Sequence, residues 1–123
     1  MWARTAEAAL ACWLAVSPFI FQHAADDTYL WANDFISAFL VFLFAVMSWW
    51  PPTRHAHVLN LAMGCWLAGA PFVFSPHPPP PAFQNHVMVG LILLIFAIVP
   101  NDAELPSRRW LEYSAAQDDK ERE

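Results

Sequence analysis

Asp34 and His86 are the residues in this chain best suited to chemistry. Each opens an apolar run and directly follows an asparagine: "WANDF" starts at Trp31 and "FQNHV" at Phe83. A carboxylate and an imidazole brought together form a hydrogen-bonded pair that can hold a proton, and an ionisable group near membrane depth is a functional candidate. The competing reading is structural. Asn33 and Asn85 would be helix N-caps, with Asp34 favoured by the positive end of its helix. Two further pairs match in the same way, Cys12-Trp13 and Cys65-Trp66. There is no Cys-x-x-Cys, and the cysteines fall toward the cytoplasmic half, so packing at a helix interface is expected rather than a disulfide. Trp13 and Trp66 lie deep in their runs. They can fill the centre of a bundle, which is the expectation here, or stack on a pigment, quinone or lipid tail with His86 beside them.

The remaining histidines, His23, His55, His57 and His77, do not assemble a metal or haem site by spacing, since no two share a helix at i, i+4. No metal is expected, and no cofactor is required. Enzyme motifs are missing as well. There is no nucleophile elbow, no pair of membrane carboxylates and, with three glycines in the chain, no phosphate-binding loop. A non-enzyme is therefore expected. Six Lys and Arg without a basic patch argue against nucleic acid as a partner.

The elements that must carry these residues are written in the composition. Hydrophobic residues make up 58% of the 123 and charged residues 14%. No Asp, Glu, Lys or Arg occurs between Arg54 and Asp102. Four apolar segments stand out, at 5–22, 31–50, 57–74 and 83–99. Each approaches the roughly 20 residues of a spanning helix. Pro51-Pro52 and Pro100 close the second and fourth. "FISAFLVFLFAVMSWW" does not alternate, which excludes barrel strands. The fold class expected is an all-α membrane protein with four transmembrane helices. Pro18 and Pro71 fall late in the first and third and should bend them near their ends.

Arg4, Arg54, Arg108, Arg109, Lys120 and Arg122 all fall on one side of that topology, so both termini are expected in the cytoplasm. The outer loops are acidic ("HAADDTYL") and proline-dense ("SPHPPPP"), the second reading as a polyproline II strap. After residue 101 the chain turns polar. Ser107 is a reasonable N-cap for a short interfacial helix carrying Trp110, Leu111 and Tyr113.

The chain also repeats itself. "ACWLAVSPFIF" at 11–21 returns as "GCWLAGAPFVF" at 64–74. Asn33 matches Asn85, and Phe44-Ala45 matches Phe96-Ala97. A cleavable signal peptide has no reason to recur internally, so the first run is expected to be a mature helix. The units are 1–53, 54–101 and a polar tail, 102–123. Two helices per repeat give both copies one orientation and a pseudo-two-fold axis along the membrane normal.

Ser17-Pro18-Phe19 followed by Trp31-Ala32-Asn33, and Ala70-Pro71-Phe72 followed by Phe83-Gln84-Asn85, resemble the SPW-repeat family of membrane proteins. That family carries Ser-Pro-Trp in the first helix of each two-helix unit. Here Phe replaces Trp in both copies, and Ala replaces Ser in the second. The resemblance covers most of residues 8 to 101. It implies a small multi-pass protein of the bacterial inner membrane and no particular reaction. With catalytic groups missing and aromatic and small residues abundant, the expected role is an accessory subunit packed in lipid against a larger photosynthetic or respiratory assembly. The alternatives are a binder of a small lipophilic pigment or quinone, and a channel or transporter built by oligomerisation.

Overall fold

The computed structural model describes residues 1–103 and 105–122. All of its regular structure is helical: α1 (Trp2–Ile20), α2 (Thr28–Met47), two single 3₁₀ turns at Pro51–Thr53 and Ala56–Val58, α3 (Leu59–Val73), α4 (Ala82–Ile98) and α5 (Arg108–Arg122). The four apolar segments become α1 to α4, with ends shifted by only a few residues. Asp27 starts α2, its carboxylate accepting the Leu30 N–H at 3.3 Å.

The helices form a ring in chain order. α1 packs mainly on α2, and α3 on α4, while α4 also meets α1 and α2 meets α3. α1 and α3 therefore face each other across one diagonal, α2 and α4 across the other. The near ends are tied together where the termini meet. The Met1 amino group donates to the Asn101 carbonyl at 3.3 Å, and the Asn101 amide donates to the Ser48 and Arg54 carbonyls at 3.0 and 2.6 Å. α5 lies beyond this end and buries none of its residues. Its first turn is capped by Ser107, whose hydroxyl accepts the Trp110 N–H at 3.3 Å.

Burial repeats with the sequence. α1 buries Arg4, Glu7, Ala11, Leu14, Ser17 and Pro18. The chain segment fifty-three residues on buries His57, Asn60, Gly64, Leu67, Ala70 and Pro71, position for position. α2 and α4 likewise bury Asp34 and His86, Ala38 and Gly90, Val41 and Leu93, Ala45 and Ala97. The central layer is Leu14, Val41, Leu67 and Leu93, all fully buried.

Charged and polar residues are buried at both ends of this core while many large apolar residues face outward, unlike a water-soluble bundle. Arg4, Glu7, Asp34 and Asn60 are fully buried, whereas Phe39 and Ile95 are 64% exposed and Ile98 and Val73 about 70%. In water such a surface would far exceed the apolar patches a monomer tolerates. Two stretches, Thr28–Met47 and Pro51–Val73, are long and apolar enough to cross a membrane, and Ala82–Ile98 is a shorter apolar helix. Exposure and length together point to a membrane.

Pro18 and Pro71 sit two residues before the ends of α1 and α3. Proline has no N–H, so the carbonyl four residues earlier loses its helical donor. For Pro18 that carbonyl is Leu14, and the Ser17 hydroxyl donates to it at 2.9 Å. The serine before the proline thus repairs the bond that the proline removes. Ala70 has no hydroxyl to do the same for Leu67. Replacing Ser17 by Ala should lower stability by about 1 kcal/mol, the usual net value of one hydrogen bond. Thermal melts in detergent check this against Ser114→Ala, which removes the same local bond from an exposed helix and should leave the midpoint in place.

In the loop between α3 and α4 the Ser75–Pro76 and Pro80–Pro81 peptide bonds are cis, and the Pro71 carbonyl accepts from the His77 ring at 3.0 Å.

Candidate functional site

Two buried polar clusters close the bundle, one at each end, with the layer of Leu14, Val41, Leu67 and Leu93 between them. The far cluster, away from the termini, is built on Asp34. Its Oδ1 pairs with His86 Nε2 of α4, directly across the diagonal. Its Oδ2 accepts from His23 Nε2, in the loop after α1, at 2.7 Å. All three side chains are at most 1% exposed. The imidazoles lie nearly parallel on either side of the carboxylate, with centroids 6.4 Å apart and planes 16° from each other. The Asn33 amide adds a donor to Oδ1 at 3.3 Å, and His86 Nδ1 meets the Ala82 carbonyl one turn back at 2.8 Å.

Asn33 and Asn85 are not N-caps. α2 and α4 begin earlier, after Asp27 and Pro81. The two asparagines instead accept the indole N–H groups of the other repeat. Trp13 Nε1 donates to Asn85 Oδ1 and Trp66 Nε1 to Asn33 Oδ1, both at 2.8 Å. Reciprocal bonds of equal length are the pattern that two-fold related halves make. They also explain why the tryptophans are not in the core. Trp13 and Trp66 are 43% and 47% exposed. Each ring covers the seam between repeats, and its N–H, which would be costly to leave unpaired in hydrocarbon, finds an amide oxygen. Cys12 and Cys65 are exposed too, rather than set in a helix interface. The bundle axis is already filled by Leu14, Leu67 and the small residues beside them.

The near cluster is Arg4, Glu7 and Asn60. Arg4 Nη1 lies 3.1 Å from Glu7 Oε1, with both side chains fully buried. Arg4 Nη2 donates to the Phe96 and Val99 carbonyls at 2.6 and 2.7 Å, capping the C-terminal end of α4. The Asn60 amide crosses the other diagonal to Glu7 Oε2 at 3.1 Å. His57, equivalent to Arg4, is buried beside it, its Nδ1 bonded to the Arg54 carbonyl at 2.9 Å. Sequence reasoning passed over this cluster and His23. The repeat register contained the signal for the first: Glu7 aligns with Asn60, and Arg4 with His57, at the spacing already set by the cysteines.

Chemically, the far cluster can hold a proton, and the near cluster can pin a helix end. No group of three or more His, Cys, Asp or Glu among the described residues is arranged to ligate a metal ion.

No curated protein and no solved structure matches the chain detectably. The profile of the SPW repeat domain matches residues 1–100, which take in both repeats and stop short of the tail. By that match over most of its length, the chain belongs to the SPW repeat domain family.

Proposed function

We propose that this protein is a non-catalytic accessory subunit of the bacterial inner membrane, packing sideways against a larger membrane assembly. In this reading α1 to α4 all span the bilayer. The two repeats turn about an axis along the membrane normal, and both termini lie in the cytoplasm with all six basic residues. The observation that carries it is the lateral surface. Phe19, Phe39, Phe72 and Ile95 are each more than 60% exposed, while buried Asp34, His23 and His86, and buried Glu7, Arg4 and Asn60, meet one another inside. The chemistry of the interior is spent on holding the bundle together, and what faces outward is apolar contact surface. Partners of that surface are lipid and other membrane helices.

The test is native electrophoresis of the tagged full chain after gentle extraction. A co-migrating membrane assembly is expected, lost on Phe39→Ser and Ile95→Ser substitution although the variants still fold. Migration only as a monomer or homo-oligomer would overturn the proposal.

One feature favours a second reading, the binding of a lipophilic small molecule. A cavity of about 400 Å³ opens between α2 and α3, lined by Ile36, Leu40, Met63, Trp66 and Phe74, with Asn33 and Tyr29 at its polar side. That volume lies within the range of small-molecule sites. Pigment or quinone recovered with the wild type and lost from Trp66→Ala would support it.

A further inference from the structure

The hydrogen bonds of the far cluster fix how many protons its members hold. A carbonyl oxygen only accepts, so the contact between His86 Nδ1 and the Ala82 carbonyl requires a hydrogen on Nδ1. A neutral imidazole then has a bare lone pair on Nε2. That lone pair points at Asp34 Oδ1, and an ionised carboxylate has only lone pairs to offer in return. The other neutral tautomer moves the same conflict to Ala82. Both contacts are satisfied only if the pair carries one more proton, on His86 Nε2 or on Asp34 Oδ1. His23 makes no such demand, because its neutral Nε2–H form can donate to Oδ2. Charge leads to the same result. With the proton, Asp34 and His86 are neutral in sum; without it, a net negative charge stands in a fully buried site.

We infer that Asp34 and His86 form a proton-binding site at the far end of the bundle, and that the bridge across the α2–α4 diagonal exists only while the proton is bound. Among the described residues, no other charged group faces the pair. α1 presents Ser17 and Trp13 at this level, and α3 presents Ala70 and Trp66. In the loops, Asp27 is engaged with the Leu30 N–H and His77 with the Pro71 carbonyl, while Asp26 is exposed. Arg4, Glu7 and His57 lie at the opposite end, beyond the sealed layer of Leu14, Val41, Leu67 and Leu93. Proton exchange therefore occurs through the far face, past His23. The site reports the acidity of one side of the membrane.

The direct test is nitrogen NMR of the full chain in micelles with labelled histidine, the His86 signal being identified by its loss in His86→Gln. At neutral pH the expected spectrum shows His86 protonated on both ring nitrogens. If instead Nδ1 alone is protonated, the carboxyl carbon of Asp34 should report the acid form. A singly protonated His86 beside an ionised Asp34 would overturn the proposal.

Asp34→Asn supplies a second measurement. Its amide N–H donates to the Nε2 lone pair and its oxygen accepts from His23, so the contacts to both histidines are kept with no added proton and only the long Asn33 bond to Oδ1 is given up. Wild-type stability should be full at about pH 5, between the ordinary carboxylate and imidazole ranges, and fall as rising pH withdraws the proton, because the folded state then binds more protons than the unfolded one. The variant should lack that component. Melting profiles of the two proteins that run parallel from about pH 5 to about pH 9 would also overturn the proposal.

Discussion

Replacing Glu7 by Leu should destabilise the bundle by about 3–5 kcal/mol, the cost of leaving a buried charge without its partner. The Arg4 guanidinium has no exposed surface, and Glu7 at 3.1 Å is its counter-charge. Its remaining bonds, to Phe96 and Val99, are to carbonyls at the end of α4. These satisfy hydrogens but do not cancel a unit charge. Asn60 loses its acceptor in the same stroke. The contrast that makes the prediction specific is the combined variant Arg4→Met, Glu7→Leu, Asn60→Leu. With every polar member removed, no buried charge remains, and the variant should melt above Glu7→Leu despite two additional substitutions. Glu7→Gln, which keeps an acceptor for Arg4, should fall between Glu7→Leu and the wild type. Thermal unfolding in detergent distinguishes these orders. Additive losses across the three substitutions would mean that the residues act separately rather than as one cluster.

How much of this was readable in the chain depends on which rule each residue obeys. The helices were readable because length and charge exclusion are properties of a segment, and no tertiary partner has to be known. The meeting of Asp34 and His86 was accessible through the repeat, since equivalent positions near an axis meet across it. The tryptophans were misjudged because bulk was weighed as if the interior needed filling. In lipid the exterior is as apolar as the core, so a large ring gains nothing by burial, and its N–H goes wherever an acceptor stands. Asn33 and Asn85 were misplaced for the complementary reason. α2 and α4 start at Thr28 and Ala82, five and three residues before Asn33 and Asn85, so both asparagines stand inside their helices and not at a boundary. Glu7 is hard to read because it lies four residues before the repeated phrase, where its counterpart, Asn60, carries no charge.

α3 and α4 meet backbone to backbone at Gly90, and the largest packing effect is expected there. A Cβ added to Gly90 would lie 2.5 Å from the Ala68 nitrogen and 2.8 Å from the Gly64 carbonyl oxygen. Both obstacles are backbone, so no rotamer change relieves them, and the helices must move apart. At Gly64 the nearest atoms are Leu94 Cγ and Cδ2, at 2.8 and 2.9 Å, which belong to a side chain that can partly yield. At Gly69 nothing lies within 4 Å. Gly90→Ala should therefore cost at least the 1–3 kcal/mol typical of overpacking. Gly64→Ala should cost less. Gly69→Ala should raise stability by about 0.5–1 kcal/mol through helix propensity. The first repeat holds Ala11 and Ala38 at the positions of Gly64 and Gly90, so α1 and α2 already accommodate the methyl groups that α3 and α4 exclude. The small pair in the second repeat is thus a requirement of that helix contact and not of the repeat itself. A melting order of Gly90→Ala, Gly64→Ala, wild type, Gly69→Ala, from lowest to highest, is the expected result. If Gly90→Ala melts with the wild type, α3 and α4 are not in backbone contact.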